Sequence, residues 1–312
     1  MFSDEFTRPG NHISRQSAFT RIAGYDSEDT MFERLNWTDV AKERIAILAK
    51  YEPLQPFLLM ELTRSVGAEI FLDIGANIGV YSIIMASLPG IKAVHAFEPT
   101  PSTCDELTTN IGLNSNSSKI AVHRTALSDS AKSVTFGIVS EFSGANSIIG
   151  TSIHKADQFT NRFEVVCLPL DEVLTDQQRT FSIKIDVEGH ELQALAGARN
   201  LLTNNSAIIQ IENYNPDDLS MANTLASHGY RLLFNVGPDQ YFSNIPSLTD
   251  RDIVAAFSKA SSAMISENFS NETRGVDRPI RMQAPFGIAV ELSGQMMTLA
   301  RSARQALRRS KN

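Results

Sequence analysis

Cysteine is scarce in this chain of 312 residues, which has only two. Cys104 and Cys167 stand far apart, and neither belongs to a Cys-x-x-Cys pair or to a cluster of cysteine and histidine. Structural zinc sites and disulfide frameworks need such groups of cysteines. The sequence therefore argues against both kinds of fold, and we expect two thiols in a reducing compartment.

Long hydrophobic runs are also lacking. No stretch reaches the roughly eighteen consecutive apolar residues that a membrane-spanning helix needs, so the sequence predicts none. Residues 1–30 are polar and lack the apolar centre of a secretory signal. From these two absences we expect the protein to reside in the cytoplasm.

Positive charge is sparse except near the carboxyl end. The whole chain has a net charge of −7, whereas residues 272–312 contain eight Arg and Lys residues against three acids. The acidic main body argues against a nucleic-acid partner, because phosphate binding needs clustered positive charge. Arg301, Arg304 and Arg308 recur at helical spacing. They predict a basic amphipathic tail, which is either solvated or associates weakly with an anionic membrane surface.

Short apolar strands alternate with helix-length segments from residue 69 onward. This alternation predicts an α/β fold with a doubly wound, mainly parallel sheet that is covered on both faces. Residues 126–180 interrupt the alternation and predict a β-rich insertion near the ligand crevice. We place an N-terminal extension with a preparatory helix at 1–65, the main domain at 66–245, and a C-terminal helical extension with the basic tail at 246–312. The predicted strands are 69–74, 92–98, 119–125, 181–187, 207–212 and 230–235, and the predicted helices between them are 78–88, 101–113, 189–203 and 217–228.

The strongest motif is FLDIGANIGVYS at residues 71–82, in which an apolar strand ends in Asp73 and a tight turn leads into a helix. Gly75 and Gly79 let the backbone approach a ligand, and the start of the helix offers free N–H groups. A dinucleotide site would need a further glycine where Asn77 stands, because that glycine lets the chain approach a pyrophosphate. A ligand without a pyrophosphate suits this turn better, and S-adenosylmethionine is such a ligand.

The ends of the next two strands complete the predicted cofactor site. The second strand ends in Glu98, whose carboxylate can accept hydrogen bonds from both hydroxyls of a ribose. The third strand leads into Ser128 and Asp129, which we expect at the adenine edge. A Ser-Asp pair is equally typical of an ordinary turn or helix cap, so that alternative stays open.

Polar residues gather after the fourth strand, where the expected sulfonium group would lie. Asp186, Glu188, His190 and Glu191 are candidates for stabilising a cationic cofactor, orienting an acceptor hydroxyl or removing its proton. His190 could instead lie on the surface, and Glu191 could serve only to favour the start of a helix. Acids at this spacing could also bind a divalent cation, which we do not favour.

The fifth predicted strand ends in Glu212 and Asn213. Because parallel strands end at the same edge of a sheet, both side chains are expected to face the same crevice. We therefore predict that they line the acceptor site.

Taken together, these segments resemble the FkbM-type family of S-adenosylmethionine-dependent methyltransferases. The resemblance covers residues 70–236, slightly more than half of the chain. The stretches that carry it are FLDIGANIGVYS, AFEP, ALSD, VVCLPLDEVL and, above all, IKIDVEGHELQALAGA.

The resemblance implies the Rossmann-like fold of class I methyltransferases and O-methylation, often of sugars in glycans, glycolipids or secondary metabolites. By motif position, it implies a cofactor site formed by Asp73, Gly75, Asn77, Gly79 and Glu98. It also implies an acidic signature formed by Asp186, Glu188 and Glu191, while the family tolerates several residues where His190 stands.

Motifs typical of two other classes of enzyme are lacking. The chain has no Gly-x-Ser-x-Gly elbow and no P-loop, which argues against a hydrolase and a nucleotide-hydrolysing enzyme. A protein that binds S-adenosylmethionine without transferring its methyl group, as a scaffold in a glycan-assembly complex, remains the alternative. The sequence leaves the oligomeric state undetermined.

Overall fold

A computed structural model of the chain describes residues 35–138, 147–148, 161–215 and 217–272. The chain divides into two compact units, Met1–Asn271 and Glu272–Asn312. The predicted basic tail lies outside the described residues, as do the first 34 residues of the predicted N-terminal extension. Within the described part, every helix is too short or too polar to cross a membrane.

A seven-stranded sheet forms the centre of the first unit. Its order is β3-β2-β1-β8-β9-β11-β10, and all neighbours are parallel except β11, which is antiparallel to both β9 and β10. The predicted doubly wound, mainly parallel sheet is therefore confirmed. The strands are β1 (Ile70–Ile74), β2 (Ala93–Phe97), β3 (Ile120–His123), β8 (Thr180–Ile185), β9 (Ser206–Glu212), β10 (Arg231–Val236) and β11 (Asp239–Ser243).

Helices cover both faces of this sheet. Successive strand residues point to opposite faces, so that Ile208 packs in one hydrophobic core and Ile209 in the other. The helices are α1 (Asp39–Tyr51), α2 (Gln55–Val66), α3 (Val80–Ala86), α4 (Pro101–Gly112), α5 (Leu170–Val173), α6 (Glu191–Ala196), α7 (Arg199–Asn204), α8 (Ser220–Ser227) and α9 (Asp250–Glu272), with a 3-10 turn at Ser117–Lys119.

A smaller sheet of order β4-β7-β5-β6 lies in the predicted insertion, which confirms its β-rich character. The pairing of β5 with β7 is antiparallel over its whole length, from Lys132 opposite Cys167 to Ile138 opposite Asn161. Phe136 and Ile148 of this sheet are buried. The strands are β4 (Ala126–Leu127), β5 (Lys132–Ile138), β6 (Ser147–Ile148) and β7 (Asn161–Leu168).

Three details correct the sequence-based expectations. The helix predicted over 189–203 is divided into α6 and α7, because the Asp171 carboxylate accepts hydrogen bonds from the amides of Asn200 and Leu201 at 2.8 and 2.9 Å and caps a new helix start. The segment before β1 contains two helices rather than one preparatory helix, and Pro56 stands in the first turn of α2, where its missing N–H costs nothing. Strand β11 was not expected, whereas helix α9 lies within the segment predicted as a helical extension.

Candidate functional site

The glycine turn between β1 and α3 has the conformation that the motif requires. Gly75 and Gly79 have φ angles of 86° and 90°, in the left-handed region that favours glycine. The amides of Gly75 and Ala76 both donate hydrogen bonds to the carbonyl of Phe97, at 3.1 and 2.9 Å. These bonds fix the turn against the end of β2.

Gly75 also brings the turn against the end of β8. A Cβ at this position would lie 1.8 Å from the Asp186 carbonyl oxygen, so only glycine permits the observed approach. At the start of the turn, the buried Asp73 carboxylate accepts a hydrogen bond of 2.6 Å from the Ser82 hydroxyl. Burial raises the pKa of Asp73, while Lys184 and Ser82 lower it. Asp73 therefore holds α3 against β1 as well as lining the cavity described below.

Glu98 is tied directly to this turn. Its Oε2 accepts a hydrogen bond from the Asn77 amide at 3.0 Å, and its Oε1 accepts one from the Thr100 amide at 2.8 Å. Asn77 itself has a φ of 52°. Burial raises the pKa of Glu98, while the Thr100 and Asn77 hydrogen bonds and the charge of Arg44 lower it. The two segments predicted to bind the cofactor thus meet at one point.

A cavity of about 900 Å³ opens beside this point. Its wall contains the carboxyl ends of β1, β2, β8 and β9, together with Phe136 and Ile148 from the insertion. This is the crevice at which open parallel sheets bind ligands. The predicted site residues that line it are Asp73, Gly75, Asn77, Glu98, Asp186, Glu188, His190 and Glu212.

Three of these residues form a group that we call the acidic cluster: Asp186, Glu188 and Glu212. One carboxylate oxygen of each lies within 4.8 Å of the others. Burial and the charge of Asp186 raise the pKa of Glu212, and burial, Asp186 and Glu191 raise the pKa of Glu188 to about 8. Carboxylates crowded in this way are better proton acceptors than ordinary exposed ones.

Lys184 balances part of this negative charge. The buried ammonium lies 2.7 Å from Oδ2 of Asp186 and 4.6 Å from the centre of the Tyr81 ring. Burial disfavours the charge, but Asp186, Glu52 and Asp73 together raise the pKa of Lys184 well above its ordinary value. Lys184 therefore remains a cation within the cavity wall.

His190 is buried rather than exposed, contrary to the surface alternative considered from the sequence. Its Nε2 lies 3.0 Å from the Ser128 hydroxyl, and burial lowers its pKa to about 4. The neighbouring Glu191 does not line the cavity, and its Oε1 accepts hydrogen bonds from the Val187 and Gly189 amides at 3.3 and 3.0 Å. His190 is thus neutral near pH 7. Glu191 stabilises the turn that carries Glu188 of the acidic cluster.

Ser128 and Asp129 are placed differently from the expected adenine edge. Neither is among the described residues that line the cavity. Ser128 is fully buried against His190, and Asp129 pairs with Lys132 at 2.6 Å on the surface, which lowers the pKa of Asp129 to about 2. Their observed partners favour the structural alternative for this pair.

Gly79 and Asn213 also serve the frame of the site. A Cβ on Gly79 would lie 2.4 Å from Cδ1 of Leu107, so this glycine lets α4 pack against the turn. The Asn213 side chain accepts a hydrogen bond from the Asn215 amide at 3.0 Å and lies outside the described cavity wall. Of the two predicted acceptor-site residues, only Glu212 therefore faces the cavity.

Several lining residues were missed in the sequence. Arg44 and Glu52 come from the segment before β1, where no motif marks them. Tyr81 and Lys184 lie within the recognised motifs, but the motifs assign neither of them a role. The buried position of Lys184, between Ile183 and Ile185 in a central strand, was the signal that could have identified it.

Comparison with known proteins identifies the family of this chain. The family model described as "Methyltransferase FkbM domain" matches residues 73–232, slightly more than half of the chain. The chain belongs to the FkbM methyltransferase family. The match begins at Asp73 and includes Glu98 and the whole acidic cluster.

This methyltransferase chain spans slightly more than half the length of the first two relatives described here. The hexuronic acid methyltransferase AglP of Haloferax volcanii is 29% identical over 146 residues, which cover 46% of this chain and 56% of AglP. The FkbM methyltransferase structure from Methylobacillus flagellatus is 19% identical, with a TM-score of 0.44, covering 73% of this chain and 58% of that one. A Bacillus cereus O-methyltransferase in complex with SAH is 15% identical, with a TM-score of 0.39, covering 73% of this chain and 97% of that one.

Proposed function

We propose that this FkbM methyltransferase transfers the methyl group of S-adenosylmethionine to a hydroxyl oxygen of a sugar, in a glycan, a glycolipid or a secondary metabolite. The observation that carries the proposal is that a single cavity is lined both by the Asn77–Glu98 pair and by the acidic cluster. A cofactor site and a site for proton transfer are thereby placed in one chamber.

The residues around Glu98 fit an adenosyl compound. Each carboxylate oxygen of Glu98 accepts one backbone hydrogen bond, and a carboxylate oxygen can accept more than one. The remaining capacity suits two adjacent ribose hydroxyls, and a carboxylate there disfavours a ribose that carries a phosphate. When bound, S-adenosylmethionine supplies a methyl group on a positively charged sulfur.

The acidic cluster fits the other half of the reaction. An acceptor hydroxyl that attacks the methyl carbon loses its proton, and the carbon–sulfur bond breaks as the new carbon–oxygen bond forms. The ionised form of Glu188, whose pKa is about 8, is a stronger base than an ordinary carboxylate and is suited to take that proton. Asp186 and Glu212 can orient the hydroxyl through hydrogen bonds.

The residues that line the cavity favour an acceptor without strong negative charge. Among its described lining residues, six are acidic and two are basic. A nucleic acid or another strongly anionic acceptor would find few basic partners there, whereas the hydroxyls of a neutral sugar would find hydrogen-bond partners. The acids are Glu52, Asp73, Glu98, Asp186, Glu188 and Glu212, and the basic residues are Arg44 and Lys184.

Transfer of a labelled methyl group to panels of neutral sugars, amino sugars and uronic acids tests the proposal. The product should carry the methyl group on oxygen, as judged by nuclear magnetic resonance. Glu188→Gln and Glu212→Gln should retain cofactor binding and lose transfer by about a hundredfold or more. The control is Glu164→Gln, because Glu164 lies exposed on β7, accepts a hydrogen bond from the Thr135 hydroxyl and is not among the described residues that line the cavity.

Two outcomes would contradict the proposal. Cofactor binding without transfer to any panel or to glycans extracted from cells would favour the scaffold alternative. Methyl transfer to nitrogen rather than oxygen would retain the methyltransferase and remove the assignment of a hydroxyl acceptor.

A further inference from the structure

Helix α1 lies before the region that the family model covers, yet it contributes to the wall of the cavity. Its residue Arg44 lines the cavity and donates a hydrogen bond from Nη1 to Oδ1 of Asn77. Asn77 is the residue whose amide binds Glu98. A guanidinium from outside the matched region thus stands beside the two groups that define the predicted cofactor site.

The start of α1 is anchored by specific contacts to α4. The Thr38 amide donates a hydrogen bond to Oδ1 of Asn110 at 3.1 Å, and the Thr38 hydroxyl donates one to Glu106. Asn110 in turn donates a hydrogen bond of 3.1 Å to the carbonyl of Ile78 in the glycine turn. Asn110 therefore links the start of α1 to the turn that carries Asn77.

Apolar packing and a second polar contact fix the same segment. Trp37 is 8% exposed and Ala41 is fully buried, in one core with Ile78. Just before them, the Asn36 amide donates a hydrogen bond of 2.9 Å to the side chain of Asn114. These contacts, on either side of Thr38, hold the start of α1 in place. They thereby fix the position of Arg44 beside the glycine turn.

The positive charge of Arg44 acts on the Glu98 carboxylate. Burial lowers the pKa of Arg44, while Glu98 and Glu106 raise it, and a guanidinium keeps its charge in proteins. The described groups that act on Glu98 are the Asn77 amide from the glycine turn, Thr100 at the start of α4, and the charge of Arg44 from α1. Arg44 is therefore the cation that opposes the cost of burying the Glu98 carboxylate.

We infer that Arg44 is a positioning residue of the cofactor site, which holds Asn77 in its turn and supplies the positive charge opposite Glu98, and so sets the affinity for S-adenosylmethionine. The inference rests on the proposed function, because it assumes that Glu98 binds the ribose of that cofactor. It extends the site to a segment that none of the recognised motifs includes.

The charge role predicts a shift in the pH dependence of binding. The ionised form of Glu98 accepts hydroxyl hydrogen bonds, and protonation removes that capacity. Arg44→Met removes the charge that lowers the pKa of Glu98, so the pKa rises. The loss of affinity on acidification should therefore begin at a higher pH in this variant than in the wild-type protein.

Calorimetric titration with S-adenosylhomocysteine between about pH 5 and about pH 8 measures this shift. Arg44→Met should bind about tenfold more weakly near neutral pH, with its acid midpoint moved upward. Arg44→Lys should keep the wild-type midpoint, because it keeps the charge. Lys42→Met is the matched control, since Lys42 is an exposed cation of the same helix that pairs with Asp39.

The outcomes separate the inference from the proposed function. Wild-type affinity and midpoint in Arg44→Met would overturn the inference, as would weaker binding with an unchanged midpoint, which indicates a purely structural role. If Arg44→Met does not fold, Arg44→Gln and Arg44→Lys give the same comparison of neutral and charged side chains. Absence of binding in the wild-type protein would instead overturn the proposed function.

Discussion

The amide of Asn77 donates a hydrogen bond to Oε2 of Glu98 at 3.0 Å, which joins the turn after β1 to the end of β2. The contact spans 21 residues of sequence and places a buried carboxylate directly beside a left-handed backbone turn. Under the proposed function, the carboxylate that binds the ribose is thereby held beside the glycine turn.

Replacement of Gly75 by alanine tests the close approach of the glycine turn to β8. The new Cβ would lie 1.8 Å from the Asp186 carbonyl oxygen, at a φ angle of 86° that disfavours side chains. We expect the free energy of unfolding to fall by on the order of 3 kcal/mol, measured by urea denaturation.

Gly112→Ala is the control for that substitution. Gly112 ends α4, and a Cβ there would meet nothing within 4 Å. Its stability should stay within about 1 kcal/mol of the wild-type value. Equal effects of the two substitutions would show that the approach to Asp186 is not a constraint on the fold.

The buried histidine gives a pH-dependent prediction. His190 has a pKa of about 4 in the folded protein, against an ordinary value of 6.5. Between these values the unfolded chain binds the proton more readily than the folded protein does, so the wild-type protein loses stability as the pH falls from 6.5 toward 4. His190→Gln should lack this loss, which approaches about 1.4 kcal/mol for each pH unit.

Urea unfolding of both proteins near pH 7 and near pH 5 measures the difference. The stability of the wild-type protein relative to His190→Gln should be smaller at the lower pH. His228→Gln provides a control, because His228 is partly exposed and bonds with Thr203. A stability difference for His190→Gln that is independent of pH would contradict the assigned environment.

Removal of divalent cations should leave methyl transfer unchanged. Although the acidic cluster is compact enough to hold an ion, Asp186 already pairs with the ammonium of Lys184 and Glu212 accepts a hydrogen bond from Tyr214. These partners compete with a hard cation for the carboxylate oxygens of the cluster. Transfer rates measured with and without a chelator check this, and recovery of lost activity by added Mg²⁺ would contradict it.

The sequence predicted the strands that end at the site, because their apolar runs are strong and their ends carry recognisable motifs. Each predicted strand end agrees with the structure to within two residues, as for β8, which ends at Ile185 rather than 187. Such runs are typical of parallel strands that are buried on both faces. Because each of these strands is marked by residues that are adjacent in sequence, local patterns were sufficient to predict it.

Strand β11 shows why part of the fold escaped prediction. All five of its residues are buried, but three are polar, so no apolar run marks it. Asp239 accepts hydrogen bonds from Gln55 and Gln210, and the Ser243 hydroxyl donates one to the Ala207 carbonyl. Polar groups that are satisfied only by distant residues can be buried at little cost, and sequence periodicity cannot reveal those partners.

Part of the candidate site could likewise be predicted from the sequence, and part could not. Glu98 and the acidic cluster follow strand ends and could be placed from the sequence. Arg44 could not, because its position depends on the docking of α1 against α4, between residues more than seventy apart in sequence. The predicted adenine role of Ser128 depended on a turn whose actual partner, His190, lies 62 residues away.

Calorimetric titration of the wild-type protein and of Glu98→Gln with S-adenosylmethionine and S-adenosylhomocysteine tests the central claim most directly, with Asp105→Asn as a control at an exposed acid of α4. We expect one binding site per wild-type chain, unchanged binding in Asp105→Asn, and affinity reduced by about tenfold to a hundredfold in Glu98→Gln, because a charged acceptor contributes about 1.5–3 kcal/mol. No binding of either compound by the wild-type protein, or equal binding by Glu98→Gln, would contradict the account.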